Sequence, residues 1–120
     1  MNILIVEEQP ELGALWARHL SRFGAQVRLA TSEQTAFQAL REDAFAVVVL
    51  DLGLADNGAM SVSDFASYRQ PDARIIFVTN ATFFSDAAIF RHCANACAYV
   101  PSYTPPEDLA AIVEHYATRA

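Results

Sequence analysis

The sequence predicts an α/β fold: a doubly wound (βα)5 domain with a parallel five-stranded sheet, filling residues 1–120 as one domain. Two observations predict it. Short apolar runs recur at Ile3 to Val6, Val27 to Ala30, Ala46 to Leu50, Ile75 to Val78 and Ala98 to Val100. Runs without polar alternation mark strands covered on both faces. Each run is followed by a stretch with helical periodicity, and the intervals are long enough for crossovers that return parallel. No low-complexity segment or linker interrupts this alternation.

In the first helix, Leu12, Leu15, Trp16, His19, Leu20 and Phe23 form one stripe, and Gly24 stops it. His19 on that stripe reads as a partly buried core histidine. Thr31 with Gln34 has a capping-box pattern ahead of a second helix bearing Ala36, Phe37 and Leu40. Ser61 with Asp64 predicts the start of a third, ending before Pro71. A fourth is expected from Ser85 to Ala94, closed by Asn95. Thr104, Pro105 and Glu107 supply N-cap, N1 and N3 of the last helix, whose inward stripe is Leu109, Ile112, Val113 and Tyr116.

The chain has 120 residues, large enough to bury one core and too small for two domains. Its eight basic residues are all arginine, against fourteen acidic ones, for a net charge of −6. That balance argues against direct binding to nucleic acid or to an anionic membrane, and points to proteins or small ligands as partners. No run approaches the roughly 20 apolar residues of a spanning helix, and Met1 to Val6 does not make a signal peptide, so a cytoplasmic location is expected. Cys93 and Cys97 lie beside His92, but a structural zinc site takes four ligands and only two further histidines exist. These thiols read as reduced and mostly buried.

Ligands of such sheets bind outside the carboxyl ends of the strands. Strand one ends in Glu7 and Glu8, strand three in Asp51, strand four in Thr79, and strand five near Ser102. Clustered carboxylates repel, so they need a cation, a shared proton or screening water. Oxygen ligands of this kind suit Mg²⁺, which takes one or two carboxylates and keeps several waters. No glycine-rich phosphate loop follows strand one and no Gly-x-Ser-x-Gly elbow is present, which argues against a nucleotide binder or an α/β hydrolase.

The segments "ILIVEEQPEL", "VVVLDLGL", "IIFVTN" and "AYVPSYTPPEDL", in this order and spacing, resemble the receiver domains of bacterial two-component response regulators across essentially the whole chain. The resemblance implies a flavodoxin-like fold with strand order 2-1-3-4-5 and a non-enzymatic role in a phosphorelay, with at most self-dephosphorylation at the phosphoacceptor. It implies Asp51 as phosphoacceptor, taking phosphate from a histidine kinase or phosphotransfer protein. It further implies Mg²⁺ held by Glu8, Asp51 and the Gly53 carbonyl, with Glu7 acting through a metal-bound water. Thr79 would hydrogen-bond the phosphoryl group, and Tyr99 matches an aromatic that changes rotamer on switching.

The sequence departs from that pattern at several points. The family lysine falls on Ser102 and the proline after it on Tyr103; the chain holds no lysine. The acidic pair is Glu-Glu, each carboxylate reaching roughly 1.5 Å further than an aspartate would. The loop "DLGLADNG" is one residue short, with Ala55 where proline is usual. These departures keep open a second function: a phosphorylation-independent pseudo-receiver serving as a protein interaction module.

With three carboxylates close together and no basic side chain to offset them, at least one is expected to have a raised pKa. The surface of the fourth predicted helix, strand five and the last helix is the expected contact for a downstream protein or a homodimer. It offers Phe90, Tyr99, Tyr103 and His115, flanked by Phe83 and Phe84.

Overall fold

The computed structural model describes residues 1–54, 58–79 and 95–118. Five strands form one sheet: β1 (Asn2–Val6), β2 (Gln26–Ala30), β3 (Val47–Asp51), β4 (Arg74–Thr79) and β5 (Ala96–Pro101). All pairings are parallel, in the order β2-β1-β3-β4-β5. The apolar runs are what place β1, β3 and β4 in the middle: Leu4, Ile5, Val48, Val49, Ile75 and Ile76 are fully buried. The edges β2 and β5 are only partly covered, which is why β2 carries Arg28 within its run.

Helices α1 (Pro10–Ser21), α2 (Glu33–Glu42), α3 (Gly58–Arg69) and α4 (Pro106–Thr118) cover the sheet. Successive strand residues point to opposite faces. Leu4, Val6, Val48, Leu50 and Phe77 therefore pack with α2 and α3, and Ile3, Ile5, Val49, Ile76 and Val78 with α1 and α4. The predicted helix Ser85 to Ala94, with Phe83, Phe84, Ile89, Phe90, His92 and Cys93, lies outside the described residues.

Several local expectations are corrected. α1 ends at Ser21, and Gly24, at φ 82°, turns the chain, so Phe23 falls beyond the helix and is 46% exposed. The capping box is Ser32 with Thr35, not Thr31 with Gln34. Ser32 Oγ accepts from the Thr35 N–H at 3.2 Å, and the Ser32 N–H donates to Thr35 Oγ1 at 3.1 Å. β2 ends at Ala30 as expected, and the helix cap falls one residue later than Thr31, on Ser32.

α3 begins at Gly58 rather than Ser61, because its buried face is made of small residues, Gly58, Ala59, Val62, Ser63 and Ala66. β5 begins at Ala96, two residues early, through an irregularity that puts Cys97 between the partners of Ile75 and Ile76. Thr104 does not cap α4. Its N–H and hydroxyl both donate to the Pro101 carbonyl, at 3.1 and 2.7 Å, and the helix starts at Pro106 with the Pro105 carbonyl as first acceptor. Pro106 has no N–H for a Thr104 cap to satisfy.

Candidate functional site

The carboxyl ends of β1 and β3 are adjacent, Val6 beside Leu50, so the residues that follow each strand meet above the sheet. There a polar cavity of about 190 Å³ is lined by Glu7, Glu8, Gln9, Leu12, Asp51, Gly53 and Ser102. Glu7 is only 4% exposed. Its backbone N–H continues the β1–β2 ladder to the Ala30 carbonyl at 3.0 Å, which turns the side chain inward. The Gln9 N–H, at the entrance to α1, donates to Glu7 Oε2 at 3.1 Å. Glu8, one residue on, is exposed.

Asp51 is half-buried, and its Oδ1 accepts from the Gly53 N–H at 3.0 Å. Glu7 and Asp51 are close enough to share a side-chain hydrogen bond. Burial, above all, pushes the Glu7 carboxyl up to about 7; the Gln9 N–H opposes this, while the charges and hydrogen bond of Asp51 and the charge of Glu8 add to it. In the protonated form Glu7 is the donor to Asp51, a proton holding together two groups that would otherwise repel.

Ser102 enters the cavity from the far side, anchored by its N–H on the Thr79 carbonyl at 2.6 Å. Thr79 ends β4 at the same end of the sheet, opposite Pro101, but is 5% exposed and is not part of the lining. Tyr99 pairs with Phe77 and packs half-buried against the α2–α3 side of the core. Tyr103 is 85% exposed. His115 is exposed on α4, edge-on to Tyr116 with ring centroids 5.1 Å apart. Phe90 lies outside the described residues. Gln9 and Leu12 were not expected in the site; Gln9 is betrayed only by its position between the acidic pair and a helix-starting proline.

Among the described residues no arginine lines the cavity, and no three His, Cys, Asp or Glu side chains lie close enough together to hold a metal ion. What is present is a contacting pair, Glu7 and Asp51, with a third carboxylate at the rim. That donor set fits a hard cation of the kind that accepts one or two carboxylates and fills its remaining positions with water.

The model of the response regulator receiver domain matches residues 3–114. The chain belongs to the receiver family. Its fold is shared with a CheY-like receiver domain from Methanospirillum hungatei, at a TM-score of 0.86 and 21% identity over 97% of this chain and 92% of that one. TrrA of Thermotoga maritima, solved with Mg²⁺ and BeF, gives 0.81 at 20% identity over 96% and 97%. A response regulator from Burkholderia pseudomallei, solved with a phosphorylated aspartic acid, calcium and citrate, gives 0.77 at 24% identity over 98% and 72%. At such identities the likeness is one of fold. No curated protein matches the sequence. No helix among the described residues is long and apolar enough to cross a membrane.

Proposed function

We propose that this receiver accepts a phosphoryl group on Asp51 from a histidine kinase or phosphotransfer protein and passes the signal to a downstream protein. The observation that carries the reading is the position of Asp51. Its carboxylate ends a central strand at a water-accessible polar cavity, with one oxygen oriented by the Gly53 N–H. A carboxylate oxygen of Asp51 attacks phosphorus, the P–N bond to the donor imidazole breaks, and its electron pair leaves on that nitrogen. Positioning and charge neutralisation dominate such transfers.

Glu7 and Asp51, with Glu8 and the Gly53 carbonyl beside them, would hold Mg²⁺, which when bound neutralises charge on the transferring group. Thr79 and Ser102 would supply neutral hydrogen bonds to it. Tyr99, Tyr103 and His115, with Phe90, belong to the face proposed to meet the target or a second copy. A cytoplasmic setting fits these partners.

The pseudo-receiver reading is favoured by one specific observation, the absence of any lysine in the chain and of a described arginine at the cavity. Melting temperature against Mg²⁺, in the parent and in Asp51→Asn, with and without beryllofluoride, separates the two. A beryllofluoride shift that needs both Mg²⁺ and Asp51 supports phosphoacceptance. No response to either ligand leaves the interaction module.

A further inference from the structure

Glu7 has a partner that its charge does not explain. A Cβ built on Gly13, in the second turn of α1, would lie 3.7 Å from Glu7 Cβ and 3.9 Å from Glu7 Cγ, and 3.1 Å from Leu29 Cδ2. Gly13 is buried. A methyl there would touch the aliphatic stem of Glu7 at ordinary contact distance and crowd Leu29, so Gly13 leaves room for a methyl beside Glu7 and for nothing larger. A glycine inside a helix is intrinsically unfavourable, so its presence calls for a packing reason.

We propose that Gly13 is a positioning residue for Glu7: the space it leaves beside the Glu7 stem lets the Glu7 carboxyl take the place where it meets Asp51. The side-chain atoms of a larger residue at 13 extend at least one bond beyond Cβ, into the space held by the Glu7 stem or by Leu29. Leu29 is 40% exposed and ends in a flexible side chain, so it can give way outward. Glu7, 4% exposed and hydrogen-bonded at its carboxylate by Gln9, cannot move without leaving Asp51. The functional weight of this contact rests on the phosphoacceptor reading; the contact itself does not.

The test is a double-mutant cycle in urea on metal-free protein, pairing Gly13→Val with Glu7→Ala and, separately, with Leu29→Ala. Overpacking predicts that Gly13→Val lowers the folding equilibrium constant about tenfold in the parent and less than about threefold in Glu7→Ala. The ¹³C carboxyl resonances of Glu7 and Asp51 at fixed pH should shift in Gly13→Val and stay in place in Leu20→Ala, a core truncation at the far end of α1. Equal costs in both backgrounds, relief by Leu29→Ala alone, or unmoved carboxyl resonances would each overturn the proposal. Should Gly13→Val not fold alone, folding of Gly13→Val/Glu7→Ala supports it. Failure of that pair where Gly13→Val/Leu29→Ala folds overturns it. A parent that ignores Mg²⁺ and beryllofluoride sinks the phosphoacceptor reading and leaves this cycle to decide the contact.

Discussion

Glu7 and Asp51 meet across the carboxyl ends of β1 and β3, and the buried Glu7 carboxyl shares a hydrogen bond with the half-exposed carboxylate of Asp51. The same pair that would hold a cation is held together by a proton without one. That relationship has consequences for stability, for cation binding and for the role of the missing lysine.

The first is a pH dependence with a definite sign. The Glu7 pKa rises from 4.5 to about 7 on folding, so between those values the folded state keeps a proton that the unfolded state has lost. Stability of the metal-free protein should therefore be full below pH 4.5 and fall as pH rises through 7, by up to about 3 kcal/mol. Glu42 works in the other direction. Held below its ordinary value by hydrogen bonds from Gln38 and Arg28, it loses its contribution only as pH falls below 4.5. Urea midpoints from pH 4.5 to 8 measure the slope, and Glu7→Gln should flatten it.

Ser102→Lys puts a cation at the lining position opposite the two carboxylates. It should favour ionised Glu7, raise the melting temperature of metal-free protein at pH 8, and reduce the fall between pH 4.5 and 7. A profile identical to the parent's would mean that the new ammonium does not reach Glu7.

Gln70 joins four segments. Its side chain accepts from the Phe45 N–H at 2.8 Å and donates to the Leu40 and Asp43 carbonyls at 2.9 and 2.7 Å, while its own carbonyl accepts from Asn95 Nδ2 at 3.1 Å. Gln70→Ala takes the side-chain partner from the Phe45 N–H and the Asp43 carbonyl, while the Leu40 carbonyl keeps Arg69 Nε at 3.3 Å; it should cost on the order of 2 kcal/mol in urea denaturation, without changing any response to Mg²⁺.

Gln70 also shows what a sequence conceals. Its partners lie 25 to 30 residues away, and nothing local marks it. The strands were legible because β1, β3 and β4 are covered on both faces and read as unbroken apolar runs. Glu7, Glu8, Asp51 and Thr79 were legible as strand-end residues for the same reason, and Ser102 from the order of segments around the edge strand β5. Which of the two glutamates is buried was not, since that depends on how the chain turns into α1. The α3 start was missed because small residues pack there without an apolar stripe, and the last cap because the chain turns at Thr104 onto the Pro101 carbonyl and the helix starts two residues later, at Pro106.

Tyr103, two residues after β5, is almost wholly exposed, and a groove of about 460 Å³ between β5 and α4 is lined by Tyr99, Ile112 and Tyr116. Tyr103→Asp should change stability by no more than about 0.5 kcal/mol. It should weaken association with a target or a second copy, as followed by sedimentation or by binding to a candidate partner. Unchanged association would move the contact off this face.

The phosphoacceptor role proposed for Asp51 does without a lysine. Intact-mass analysis after incubation with a phosphorylated histidine phosphotransfer protein and Mg²⁺ tests it most directly. One added phosphoryl group, labile to hydroxylamine, is expected on the parent and not on Asp51→Asn. No adduct in the parent, or an equal adduct in Asp51→Asn, would contradict it.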